Sequence, residues 1–180
     1  MHAFISFLML AFTSHLVAAE VAAAIVHGPK AAFNIVAPEK WVIDNTAGAE
    51  DGLPCVLFHK GQSWQTADPL MYAKIASVTY EDAEAFAKIA IAAAKKDRGE
   101  FEVKRVASGK TKGGQAYFIN EYAPNETYPR HERVAYVQLT NAVAYIVFSS
   151  DKGEVFRKEQ DALQQVTESL SAMTVKKEDS

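Results

Sequence analysis

"ERVAYVQLTNAVAYIVFSS", Glu132 to Ser150, decides the fold. It reads as two extended runs joined by a short connection, "TNA", the pattern of a hairpin. Each run carries apolar residues on both parities: Val134 and Tyr136 alternate with Ala135 and Val137, and Tyr145 and Val147 with Ile146 and Phe148. Side chains leave a strand alternately to opposite faces, so a sheet containing this pair must be covered on both sides.

Two amphipathic segments supply the covers. Thr79 and Asp82 form a capping-box-like start to a helix whose stripe runs Phe86, Ile89, Ala90 and Ala93, and "DRG" closes it. Its alanines permit close approach to a sheet. Near the C-terminus, Asp151 and Glu154 suit an N-cap and its N3 partner, ahead of a helix with Phe156, Leu163, Val166, Leu170 and Met173 on one face. Upstream, Phe33 and Ile35 share one face of a strand, Pro38 marks a turn, and Trp41 and Ile43 belong to the next strand. "LPCVLFHK", "LMYAKIASVTY", "FEVKRVAS" and "QAYFINEYA" read as further strands, the last two joined by the turn "GKTKGG". Eight extended segments and two helices predict an α+β domain: an antiparallel sheet with helices packed on both faces.

Residues 1–19, "MHAFISFLMLAFTSHLVAA", contain no Asp, Glu, Lys or Arg. An apolar run from Ala3 to Phe12 followed by small residues has the form of a secretory signal peptide, with an atypical uncharged start. Cleavage is expected near Ala19, with Ala24 as the alternative site and an anchor retained to Val26 as the rival reading. Residues 20–29 read as a linker, 30–174 as the domain and 175–180 as a solvated tail. Export to the periplasm or medium is the expectation. The mature chain keeps the net charge of −3 and about 160 residues, enough for one core. That balance does not call for nucleic acid, which needs a concentrated basic face. The single cysteine, Cys55, has no intramolecular partner and reads as a small buried hydrophobe.

"FNIVAPEKW" (33–41), "FHKGQSWQTADPLMYA" (58–73) and "AYVQLTNAVAYIVFSS" (135–150), with the terminal helix, resemble the PsbP-like superfamily, closest to periplasmic DcrB-type proteins. The resemblance spans roughly residues 30–174. It implies an antiparallel sheet between helices and a non-enzymatic binding, assembly or adaptor role in the cell envelope, with a protein partner. It brings no catalytic set and no metal ligands to positions of this chain.

Ser63 raises the rival reading, a small serine hydrolase. "GQSWQ" approaches a nucleophile elbow, but Gln65 holds the second glycine position and Asp68-Pro69 leads into a strand instead of a helix. The simpler reading has Gly61 supporting a turn and Ser63 bonding the local backbone. Trp64 either lids the edge of the core or stands exposed as an anchor, with Gln65 beside it. In "TYPRHER" (127–133), Tyr128, Arg130, His131 and Arg133 are either an anion-recognising set or a solvated loop. Partner contacts are therefore expected at Trp64, Gln65, Tyr128, Arg130 and His131. His27, His59 and His131 lack metal-ligand spacing, so neither a metal nor another cofactor is expected. "GKT" at 109–111 lacks the first glycine of a phosphate loop, since Lys104 stands there. Asn125-Glu-Thr is a glycan acceptor only in a eukaryotic secretory cell. Tyr72, Tyr80, Tyr117, Tyr122, Tyr136 and Tyr145 either fill the core or line a groove for an apolar ligand carried between sheet and helix.

Overall fold

The computed structural model describes residues 22–173. In chain order these form β1 (Ala23–His27), β2 (Ala32–Val36), β3 (Trp41–Asp44), β4 (Val56–His59) and β5 (Leu70–Ile75). Then follow α1 (Ala83–Arg98), β6 (Val103–Lys110), β7 (Ala116–Tyr122), β8 (His131–Gln138) and β9 (Val143–Ser150). The chain ends with α2 (Gly153–Glu159), α3 (Asp161–Ser169) and β10 (Ser171–Met173). The signal-peptide and tail readings fall outside the described residues.

A seven-stranded antiparallel sheet in the order β3-β4-β5-β9-β8-β7-β6 forms the frame. The hairpin β8–β9 lies at its middle, paired from His131↔Ser150 to Gln138↔Val143. Its double parity has the expected cause. Val134, Tyr136, Val143 and Val147 face α1 through Ala83 and Ala87, while Ala135, Val137, Ile146 and Phe148 face Phe156, Leu163 and Val166 of α2 and α3. Burying each large side chain of this kind contributes about 1.5–3 kcal/mol before entropy is charged. The architecture is thus α+β with helices on both faces.

The second face holds more than helices. β1, β2 and β10 form a three-stranded antiparallel sheet that inserts Val26, Phe33 and Ile35 into the same core. The stretch read as a linker is therefore partly strand. β1 pairs with β2 from Ala23↔Val36 to His27↔Ala32, and alternate residues Ala24 and Val26 are buried. Ile25 and Val26 favour an extended chain while Ala23 and Ala24 do not, and pairing with β2 completes the strand. The β1–β2 turn presses on the large sheet: a Cβ at Gly28 would stand 2.7 Å from Ile75 Cβ.

Three other expectations shift. β2 and β3, on either side of the turn at Pro38, do not pair. They belong to different sheets, because Phe33 and Ile35 fill the space between the layers while Trp41 packs at the large sheet's edge. In α1 the N-cap is Asp82, whose carboxylate accepts from Ala85 N at 2.7 Å. Its inward face, however, is Ala83, Phe86, Ala87, Ala90 and Ala94, and Ile89 is 55% exposed. Alanine on every side leaves the stripe's phase to be chosen by the sheet. The terminal helix breaks at Gln160, Lys152 and not Asp151 precedes α2, and Met173 lies exposed in β10 after Leu170 ends α3.

Candidate functional site

Sheet register brings the sequence-selected loops to one end of the molecule. Leu70, at the start of β5, pairs with Ser149, which pairs with Glu132 near the start of β8. The loop 60–69 and the loop 123–130 therefore open side by side, with the β9–α2 corner between them. That corner joins them. Asp151 N donates to Asp68 Oδ1 at 3.0 Å, and the Asp151 carboxylate lies 3.3 Å from Arg130 Nε. The latter contact is an ion pair and not a hydrogen bond.

Within the first loop, Gly61 turns the chain at φ +86°. Ser63 Oγ and Thr66 Oγ1 share a hydrogen bond of 2.9 Å. Trp64 is half-buried, packs on the cluster of Val56, Phe58 and Ala67, and donates Nε1 to Asp51 Oδ2 at 2.8 Å. It lids the core edge, and Gln65 beside it is exposed. The histidines are engaged elsewhere: His59 sits edge-on to Trp41 and 3.5 Å from Glu159, and the His131 ring lies over Phe156.

The second loop is built around Asn125. Its Oδ1 accepts from Tyr128 N at 2.7 Å, and its Nδ2 donates to the carbonyls of Arg98 and Glu100, each at 3.0 Å. One side chain thereby shapes the loop and satisfies the carboxyl end of α1. Tyr128 lies under the Arg98 guanidinium, 3.9 Å from its ring centroid, and donates Oη to Glu132 Oε2 at 3.2 Å. Arg98 Nη1 donates to Glu132 Oε1 at 2.9 Å. Burial, then the charge of Glu132, hold the Tyr128 phenol above its ordinary value. Arg98 and Glu132 were not singled out from the sequence. The available signal is a glutamate near the start of a largely apolar strand, but its partner is 34 residues away.

Beneath α1, Tyr122 and Tyr136 join hydroxyls in the core. Burial pushes the Tyr122 phenol up to about 12 and raises Tyr136 and Tyr72 further. Among the described residues no group of three or more His, Cys, Asp or Glu is placed to hold a metal ion, and no helix is long and apolar enough to cross a membrane.

No family model matches this sequence, and no curated protein matches it. Solved structures do. The chain is similar to cyanobacterial PsbP (CyanoP) from Synechocystis sp. PCC 6803, at 14% identity and a TM-score of 0.52, over 91% of this chain and 99% of that one. It is also similar to LpqN, involved in cell envelope biogenesis of Mycobacterium tuberculosis, at 14% identity and a TM-score of 0.53, over 86% of this chain and 92% of that one. Similarity at this level speaks for architecture: the protein has the PsbP-like fold, with the seven-stranded sheet carrying α1 on one face and α2, α3 and a small sheet on the other.

Proposed function

We propose that the protein is an exported, non-enzymatic binding or adaptor module of the bacterial cell envelope, periplasmic or secreted, that engages a protein partner. The observation that carries this reading is the link Asp68–Asp151–Arg130, which holds two exposed loops together at one end of a rigid sheet. A surface preorganised in this way loses little conformational freedom on binding. LpqN, of the same fold, is involved in cell envelope biogenesis, which favours the same compartment here. The narrower likeness to DcrB-type proteins belongs to this proposal.

Trp64, Tyr128, Arg130 and His131 act in it mainly by shaping the surface, because all four are half-buried. Contact falls to Gln65 and its exposed neighbours Glu126, Thr127 and Pro129. Photo-crosslinking residues placed at Gln65 and Thr127 test this in intact envelopes. One shared crosslinked protein, absent when the probe sits at Asn141 on the opposite end, is the expected result. The same products from all three positions would remove the proposed surface.

The hydrolase reading is weakened by the hydrogen bond of Ser63 to Thr66 and by the other engagements of His59 and His131. Ser63→Ala should leave the crosslinking pattern unchanged.

A further inference from the structure

Helix α1 does not meet the sheet evenly. Its first turns pack closely through buried Ala83 and Ala87, and Phe86 contacts Tyr80, Tyr136 and Tyr145 at ring separations of 4.8, 5.8 and 5.2 Å. Farther along, the sheetward positions are Ala90 and Ala94, followed by Arg98. Methyl groups do not reach the tyrosines below them. A partly open recess of about 160 Å³ remains, with Ala90 and Ala94 on one side, Tyr72, Tyr136 and Tyr145 on the other, and Glu132 with Arg98 at its end.

This recess has polar capacity to spare. Glu132 is only 5% exposed, yet it lines the space. Arg98 and Tyr128 take one acceptor site on each of its oxygens, while a carboxylate offers about four. Tyr72 also lines the recess. A further donor entering the recess can therefore be accepted by Glu132 without breaking either existing bond.

Size and charge then select the occupant. An apolar cavity of about 150 Å³ holds a benzene-sized molecule, whereas drug-sized ligands need roughly 300 Å³ or more. The recess therefore fits about one six-membered ring. Aromatic walls favour an aromatic ring in edge or offset contact. Glu132 and Arg98 already pair at 2.9 Å, so neither an anion nor a cation finds an uncompensated countercharge there. A neutral hydrogen-bond donor remains. We propose that the recess binds a neutral monocyclic phenol, its ring between Ala90, Ala94, Phe86 and Tyr145 and its hydroxyl donated to Glu132. The site lies under α1, beside the loop surface assigned above to a protein partner, which it meets through Tyr128.

Titration of the full chain with phenol and with benzoate, followed by methyl NMR, tests the assignment. Phenol should shift the Ala90 and Ala94 methyl signals saturably and give nuclear Overhauser contacts from its ring protons to both. Benzoate should bind at least about tenfold more weakly. Ala94→Leu, which fills the recess, should lower phenol affinity at least about tenfold, while Ala93→Leu on the outer face should not change it. The contacts in the unaltered protein decide the matter even if the leucine variant folds poorly. Ring contacts to other residues, equal binding of benzoate, or no saturable shift at millimolar phenol would each overturn the proposal.

Discussion

Arg98 in the last turn of α1 donates Nη1 to Oε1 of Glu132 in β8 at 2.9 Å, fastening the helix to the sheet at the end where the loops 60–69 and 123–130 open. Glu132 is buried and Arg98 retains 28% of its side-chain exposure. Breaking a fully buried pair from one side costs about 3–5 kcal/mol. The solvent reaching Arg98 places Arg98→Leu lower, at about 2–3 kcal/mol. Urea unfolding should show this loss, and the Arg98→Leu, Glu132→Gln double variant should lose less than the sum of the singles, since neither charge is left unpaired.

Asn125 should matter as a cap and not as a glycan acceptor. Asn125→Ala removes the donors to the Arg98 and Glu100 carbonyls and the acceptor for Tyr128 N, at a cost of about 1–2 kcal/mol. Thr127→Ala destroys the same glycosylation triplet and should leave the melting temperature unchanged. Equal melting temperatures for the two variants would contradict this role.

Alkali should unfold the protein before its buried phenols ionise. Burial raises Cys55 from 9.0 to about 12 and Tyr122 from 10.0 to about 12 in the folded chain. Tyr117 is likewise raised from 10.0 to about 12, by burial and then by its bond to Glu168. A group raised on folding contributes full stability below its unfolded value and loses it as pH climbs to the folded one. Stability should therefore fall between about pH 9 and pH 12, with tyrosinate absorbance appearing together with the loss of circular dichroism. Tyrosinate absorbance rising smoothly in the folded protein would contradict the burial of these groups.

Trp64 and Ser63 should separate cleanly. Removing a core tryptophan side chain costs about 3–5 kcal/mol, and Trp64 is half-buried, so Trp64→Ala should cost about 2 kcal/mol. Trp64→Phe should cost about 1 kcal/mol, the net value of the bond to Asp51. Ser63→Ala should be neutral within about 0.5 kcal/mol, as an exposed substitution. Chemical denaturation of the three variants gives the ranking.

We further propose that processing, if it occurs, stops before β1. Cleavage near Ala19 leaves this strand whole, whereas cleavage after Ala24 removes the pairs Ala23↔Val36 and Ala24↔Ile35. A chain beginning at Ile25 should be less stable than one beginning at Glu20 by about 1–2 kcal/mol, roughly 2–8 °C in Tm at this length. N-terminal sequencing of the secreted form should return Glu20.

Much of the architecture was legible. The double parity of residues 132–150 demanded two covering layers, and Phe156, Leu163, Val166 and Leu170 marked one of them correctly. The helix beginning at Asp82 was equally plain, but the phase of its stripe was not, because alanine is apolar enough for any face. β1 is obscured for a related reason: only Ile25 and Val26 of "AAIVH" favour a strand, and pairing with β2 supplies the rest. Of the candidate site, the proximity of the loops at 60–69 and 123–130 is invisible in sequence order, and strand periodicity alone does not say whether the tyrosines fill a core or line a groove.

Periodicity and composition by themselves determined a two-sided antiparallel sheet, its hairpins, both helical covers and the buried character of Cys55. These follow from local patterns, since strand and helix repeats fix which residues can share a face. Only the tertiary structure decided the placement of β1 and β2 in a separate sheet, the inward face of α1, the Arg98–Glu132 pair and the recess above the tyrosines. Each depends on surfaces meeting across long separations in the chain, and close packing, not local preference, selects among such meetings.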